Sequence, residues 1–397
     1  MNPFSAVMIG GPPHSGKSVL TYGLTRALRT QGVDHYVLRA CPDGEGDWSQ
    51  ETRQEKVRLL RVKGRFTPEF VQAMSRDIER RHLPLLVDVG GRPTPEQEVL
   101  FEQCTHAILI SRDPALLDEW RERAERCGLL VLAELHSELQ GQEEILDPGP
   151  PLRGRITGLK RRRMPSGPVF QALVDRVAEL FRPEGQGLRE RHLAQAPAEM
   201  SVDLEQLIRS WKQTPEARWA LVDLPRLLEY LPAGVPLALY GRAPVWVYTA
   251  AALLAYPAEF HLFDIRLGWT QPVPLQVQRD QTPLSGERGP VNWSVWKGSD
   301  FSLVEGHIPE DTYVDYEEMV GQSIPAVVPD RGVVLSGKLP YWLFTAMVRA
   351  YAGAPWIAVR YIPKEAEAVV IHSTDANRPV GSSISVPITN ERNAGSE

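Results

Sequence analysis

Cysteine is scarce in this chain, and long apolar runs and any excess of basic charge are missing. The three cysteines among 397 residues, Cys41, Cys104 and Cys127, are too few for a disulfide framework, and no pair has metal-ligand spacing. A reducing, cytoplasmic setting is therefore expected. The longest apolar stretch, around Val245–Ala255, falls short of the roughly 18 residues that a membrane helix needs. The opening MNPFSAVMIG lacks a basic n-region and a small-residue cleavage site, so neither a signal peptide nor a membrane partner is expected. Lys and Arg number 44 against 50 Asp and Glu, a net charge of −6. That excludes a coat for duplex nucleic acid, which needs a broad basic face, but leaves local anion sites open.

What the sequence does have is punctuation. Its 34 prolines and 31 glycines cluster at Asp147–Pro151, Arg182–Pro197 and Gln276–Pro290. The composition, 43% hydrophobic and 24% charged, is that of a globular protein, and at roughly 150 residues per domain two or three domains are expected.

Residues 5–180 alternate apolar strands with amphipathic helices. Strands are predicted at Ala6–Gly10, Tyr36–Ala40, Leu83–Val89, Ala107–Ser111 and Leu129–Leu135. Helices are predicted at Ser18–Thr30, Thr67–Arg81, from Pro95, at Pro114–Arg126 and at Val169–Phe181. Such units imply an α/β fold with a parallel sheet covered by helices on both faces. The expected layout is one α/β domain over 1–181, a linker over 182–200, a small α/β domain over 201–275, a linker over 276–290, a second small domain over 291–392 and a tail over 393–397; the motifs below mark the first as a P-loop NTPase or kinase-like domain and the small domains as two copies.

Gly11-Pro-Pro-His14-Ser15-Gly16-Lys17-Ser18 fits G-x-x-x-x-G-K-[ST] between a predicted strand and a predicted helix, the context that makes the pattern a phosphate-binding loop. Its backbone N–H groups and the helix N-terminus would cradle the phosphates of ATP. Lys17 would neutralise the transferring phosphate, and Ser18 and Asp88 would hold Mg²⁺. Gly91 would let the backbone approach the γ-phosphate. The acidic loop Cys41-Pro-Asp43-Gly-Glu45-Gly-Asp47-Trp48 follows the second strand, so Asp43 is a candidate base for an acceptor hydroxyl. Arg155 and Lys160-Arg161-Arg162-Arg163 are candidates for a lid over phosphates. No sensor or arginine-finger pattern of a ring motor is found.

The second half contains an internal repeat. Leu239-Tyr-Gly241-Arg242-Ala-Pro-Val-Trp246 is echoed 96 residues later by Leu335-Ser336-Gly337-Lys338-Leu-Pro-Tyr-Trp342, which reads as a duplication. In each copy an apolar strand ends at Gly, a basic residue follows, and Pro opens a helix, with its Thr-Ala at Thr249 or Thr345. The N–H groups of that first turn and Arg242 or Lys338 would form an anion site. Trp246 and Trp342 would lie one turn in, either in the core or stacked on a base.

These residues carry a resemblance. Val333-Val-Leu-Ser-Gly-Lys-Leu-Pro-Tyr-Trp342, Pro355-Trp-Ile-Ala-Val359 and Ala368-Val-Val-Ile-His-Ser373 resemble the small ring nuclease of type III CRISPR systems over about residues 291–392. The first copy resembles it more weakly, over about 215–275, through Phe263-Asp264-Ile265-Arg266-Leu267-Gly268. The resemblance implies binding of cyclic oligoadenylate, in particular cyclic tetra-adenylate, and its linearisation without metal. It also implies that copies one and two pair as the family's homodimer does, that two chains rebuild the four-domain sandwich, hence at least a homodimer with ligand bound, and a fused N-terminal P-loop domain. The family's catalytic Asp and Arg fall on Asp264 and Arg266. The second copy has Tyr361 and about Pro363 there, and the family's His is missing from both copies. The linear oligoadenylate product, with a 5′-OH end, is a candidate acceptor for the kinase-like domain. The rival expectation is a sensor in which cyclic oligoadenylate binding controls an N-terminal ATPase.

Overall fold

The computed structural model describes residues 4–41, 67–160, 163–185, 187–214, 216–278, 289–309, 314–360 and 366–387. The fold is α/β, and the chain divides into two compact units: residues up to Arg191 with Ile265–Leu267, and the rest from His192.

The first unit is a seven-stranded sheet. Its strands are β1 (Ala6–Gly10), β2 (Tyr36–Ala40), β3 (Leu85–Val89), β4 (His106–Ser111), β5 (Leu130–Glu138), β6 (Glu144–Asp147) and β7 (Leu152–Thr157), in the order β2-β3-β1-β4-β5-β7-β6. All pairings are parallel except β6 with β7. Every residue of β1 and β3 is buried, the pattern of strands covered on both faces. The helices are α1 (Lys17–Thr30), α2 (Pro68–Glu79), α3 (Val99–Glu102), α4 (Pro114–Arg126) and α5 (Pro168–Gly185).

Val7, Ile9, Ile108 and Ile110 project to one face, against Leu20, Leu24 and Leu28 of α1 and Leu173, Val174 and Val177 of α5. On the other face Trp120 of α4 lies against Gly10, where an added Cβ would come within 2.8 Å of the indole. The chain leaves β1 toward β2 but leaves β4 toward β5, so right-handed crossovers place helices on opposite faces. The C-terminal ends of β1 and β4 thereby flank the point where the order reverses, the usual location of a ligand crevice in such sheets.

Two expectations need correction here. The helix expected from Pro95 is a 3₁₀ turn, Pro95–Gln97, followed by the short α3. The break at Asp147–Pro151 is the turn of an antiparallel hairpin, β6–β7. The expected linker 182–200 is largely helical: α5 runs on to Gly185, and α6 (Leu188–Ala194) follows. The reason is tertiary. The Glu184 carboxylate accepts the Ser5 N–H at 2.8 Å and the Ser5 hydroxyl at 2.6 Å, and Leu188 and His192 are buried.

The second unit contains both copies. The first copy is built from β8 (Met200–Asp203), α7 (Leu204–Lys212), α8 (Asp223–Tyr230), β9 (Leu237–Tyr240), α9 (Val245–Ala255), β10 (Phe260–Asp264) and β11 (Gly268–Thr270), with sheet order β11-β10-β9-β8. Next come β12 (Gln276–Val277), β13 (Asn292–Lys297), β14 (Phe301–His307), β15 (Ser323–Ile324), β16 (Gly332–Gly337), α10 (Tyr341–Ala350), β17 (Trp356–Arg360), β18 (Glu367–Ser373) and β19 (Ser383–Ser385). The second sheet runs β13-β14-β16-β17-β18-β19, and β12 pairs with β15 separately.

Four strands correspond in order and direction. β8, β9 and β10 are mutually parallel with β11 antiparallel; β14, β16 and β17 are parallel with β18 antiparallel. The two sheets share one apolar core. Within it α9 and α10 lie side by side, pointing the same way. Tyr248 and Tyr341 meet near both helix starts, with ring centroids 5.4 Å apart. Near both ends, Arg349 lies 5.2 Å from the Tyr256 ring centroid and donates to Ala258 O. α9 is apolar on all sides because it is enclosed on all sides, and its Ala250-Ala251-Ala252 run is buried. The expected linker 276–290 begins with β12, and most of it lies outside the described residues.

Candidate functional site

Two sites follow from the sequence, one in each unit. In the first, the loop from Gly11 to Ser18 leaves the C-terminal end of β1 and enters α1. Its backbone turns three times through positive φ: Gly11 at 152°, His14 at 62° and Gly16 at 101°. A Cβ on Gly11 would lie 2.0 Å from Ile110 O, and one on Gly16 would lie 2.8 Å from Leu159 Cδ1. Only glycine fits at these two places. Successive positive-φ turns gather backbone N–H groups into a concavity suited to an anion. α1 starts at Lys17 with no side-chain cap and no acidic residue in its first turn, so its amide dipoles are not neutralised there.

Lys17 is 8% exposed. Its Nζ donates to Gly11 O at 2.7 Å and Pro12 O at 2.9 Å, which places the ammonium inside the loop. Ser15 is buried, and its Oγ has no hydrogen-bond partner among the described residues, an orphan that a polar ligand would satisfy. Ser18, in the first turn of α1, is partly exposed. Asp88, 2% exposed, stands beside Ile9 in the β1–β3 register and 3.3 Å from Arg39 Nη1. Gly91 abuts the loop: a Cβ there would lie 2.5 Å from Pro13 N. These features fit a triphosphate with a divalent ion. Among the described residues no group of three or more His, Cys, Asp or Glu could hold a metal.

The candidate base Asp43 lies outside the described residues, as do Arg161 and Arg162. Leu159 packs on Gly16, which carries Lys160 next to the loop. Arg155 lies on β7, where it pairs with Glu138 of β5 at 3.2 Å and Glu144 of β6 at 3.3 Å, in a hairpin arrangement that the sequence did not disclose.

In the second unit the repeated corners occupy equivalent places. Gly241 has φ 95° and Gly337 φ 137°, and a Cβ on Gly337 would lie 2.3 Å from Gly306 O. Pro244 and Pro340 are the cap residues, and α9 and α10 begin immediately after them, at Val245 and Tyr341. The helices therefore start at the prolines, a full turn before their Thr-Ala pairs. The cap carbonyls already accept N–H groups, Val247 to Pro244 O at 3.0 Å and Leu343 to Pro340 O at 3.1 Å. Because α9 and α10 run in the same direction, both corners lie at one end of the unit.

Three details depart from the expectation of two bare anion cradles. Trp246 and Trp342 are each 1% exposed and belong to the core, so neither offers a face to a base. The first corner is lined with acid: Glu205 Oε1 accepts the Arg242 N–H at 3.0 Å, and Asp203, opposite Tyr240 in the strand register, caps α7. The second corner has the same device. Glu305 lies opposite Ser336, accepts its hydroxyl at 2.9 Å and pairs with Arg360 at 3.3 Å. Lys338 follows Gly337 directly, before the cap.

Burial, helped by Tyr341, Glu205, Asp203 and Asp264, raises the Tyr248 phenol well above its ordinary pKa. Tyr248 therefore stays protonated and donates to Gly241 O. The carboxylates Asp203 and Glu305 were missed because the segments joining β8 to β9 and β14 to β16 differ in length. The common signal, an acid in strand register with the residue before each corner glycine, is visible only once the strands are paired.

Asp264 ends β10 in the second unit. Arg266 is grouped with the first unit, where its Nη1 lies 3.8 Å from Asp77 Oδ2. Tyr361 and Pro363 lie outside the described residues. His261, on β10, is buried against Gln271 at 2.7 Å, and burial lowers its pKa.

Residues 307–385 match the model of a family described as CRISPR-associated protein (Cas_csx3). The match runs from the end of β14 through β19 and marks this part of the chain, the second copy, as CRISPR-associated. No curated protein matches the chain. No helix among the described residues is long and apolar enough to cross a membrane.

Proposed function

We propose that the chain binds a cyclic oligoadenylate, with cyclic tetra-adenylate the leading candidate, at the end of the second unit where the two corners lie, and opens the ring there. The observation that carries this reading is the equivalence of the corners: glycine, basic residue and proline-capped helix recur at one end of a single unit, in a CRISPR-associated sequence. A ring of repeated nucleotides suits repeated corners. Arg242 and Lys338 would meet phosphates, and the carboxylates of Asp203 and Glu305 would accept from ribose hydroxyls or adenine amino groups.

Ring opening needs no external nucleophile. A ribose 2′-oxygen attacks the adjacent phosphorus as the bond from phosphorus to the 5′-oxygen breaks, leaving a 2′,3′-cyclic phosphate and a 5′-OH. Asp264 would take the proton of the 2′-hydroxyl, and the departing 5′-oxygen would take its proton from water. Arg266 would exchange Asp77 for the developing phosphorane charge. In the first unit, Lys17 and the Gly11–Ser18 backbone would hold the phosphates of ATP, with Ser18 and Asp88 on the shell of Mg²⁺. Bound ATP would supply a phosphoryl group, for which we propose the 5′-OH of the linear product as acceptor and Asp43 as its base.

A second reading is favoured by a specific observation: only the first copy has the Asp–Arg pair, and its Arg266 already faces Asp77. On this reading the repeats sense the ring and control ATP turnover. One experiment separates the two, incubation with cyclic tetra-adenylate with and without Mg²⁺-ATP followed by mass analysis. Linear products without ATP are expected, abolished by Asp264→Ala, with one added phosphate when ATP is present. An intact ring that binds and changes ATP turnover would establish the sensor instead.

A further inference from the structure

At the other end of α9 and α10, away from the corners, the second unit contains a cavity of about 610 Å³. That volume is in the range of small-molecule sites. Both copies build it. Leu228, Leu253, Leu254 and Tyr256 come from the first, and Arg349 and His372 from the second.

The repeat spacing that pairs Leu239 with Leu335 also pairs Leu253 with Arg349 and Tyr256 with Ala352. The cavity therefore lies on the pseudo-symmetry of the unit while its charge does not: one wall presents leucine, and the equivalent wall presents a guanidinium. A ligand with repeated charges would leave some of them against leucine. A ligand with one charge matches.

Arg349 is the anomaly that asks for a partner. It is only partly exposed, its guanidinium lies over the Tyr256 ring, and it donates to Ala258 O. Among the described residues no carboxylate is within ion-pair distance of it, so most of its five N–H donors have no protein acceptor. None of its nitrogens is both buried and without a partner, so these donors face the cavity, where an anion would exchange water for a charge-assisted pair. Burial lowers the pKa of Arg349 and of His372, and a neutral His372 adds a polar atom without a second charge.

We propose that this cavity binds a small organic anion, one carboxylate- or sulfonate-like group on an apolar aromatic body, with the anionic group on Arg349 and the body against Leu228, Leu253 and Leu254. The site is separate from the proposed ring site and does not depend on it.

The test uses the full chain and two dyes, 8-anilinonaphthalene-1-sulfonate and its uncharged parent N-phenyl-1-naphthylamine, followed by fluorescence titration. Saturable binding of the sulfonate is expected. Arg349→Met should weaken it about tenfold or more, the worth of a charge-assisted hydrogen bond, and leave the uncharged dye within about twofold. Gly353→Trp should weaken both dyes. Gly353 lines the cavity, and a Cβ there meets no heavy atom within 4 Å, so this variant keeps the fold. On the unaltered protein, benzenesulfonate should displace the dye and benzenesulfonamide should not, which tests the charge requirement even if Arg349→Met fails to fold. Equal competition by the two, or dye binding indifferent to Gly353→Trp, would overturn the proposal.

Discussion

At the scale of single residues, the positions that matter most are those where only one side chain is sterically possible. Gly337 has φ 137° and faces Gly306 O, so a methyl group there must move one strand off its neighbour. Gly337→Ala is expected to cost about 1–3 kcal/mol, the range of backbone strain, read as a lower denaturation midpoint with an unchanged slope. Glu134 is the corresponding case for charge. Burial pushes its carboxyl up, but hydrogen bonds from Arg121 and Arg153 outweigh that and hold its pKa below the ordinary 4.5. A carboxylate whose folded pKa is lowered adds stability above its unfolded value and loses it as pH falls. The first unit should therefore weaken as pH drops below about 4.5, and Glu134→Gln should flatten that dependence while lowering stability at pH 7.

At the scale of elements, ends were harder to read than middles. The apolar period of α5 stops at Phe181, and Pro183 follows, yet the helix continues because Glu184 is engaged by Ser5. Glu184→Ala is expected to cost about 1–3 kcal/mol, since it leaves the Ser5 amide without its acceptor. Hydrogen exchange at Ser5 and the last turn of α5 would register the loss. The strands β1, β3 and β4 were legible because buried parallel strands are continuous apolar runs. β6 was not, because all four of its residues are exposed and an edge strand owes its existence to pairing with β7 rather than to its own pattern.

At the scale of the whole molecule, the duplication produces one unit, not two. Trp246, Trp342 and the alanines of α9 lie in a common core, so neither copy has a complete interior alone. Trp342→Ala should cost about 3–5 kcal/mol. Exchange protection should fall in α9 of the first copy as well as in α10, within a single cooperative transition. Loss confined to α10 would mean that the copies fold independently. The expected pairing of copy one with copy two thus takes the form of one shared core.

The α/β class, the loop from Gly11 to Ser18 and the repeated corners were determined by the sequence itself. They depend on local chemistry: apolar runs, glycines where φ is positive, and a proline before each helix. The partners of those residues were decided by tertiary structure. Carboxylates at Asp203 and Glu305 arrive beside the corners through strand pairing, Trp246 and Trp342 turn inward because two sheets close on them, and Arg349 meets Leu253 across a cavity because α9 and α10 run in the same direction. Contacts between residues far apart in the chain are set by packing, and no local pattern encodes them.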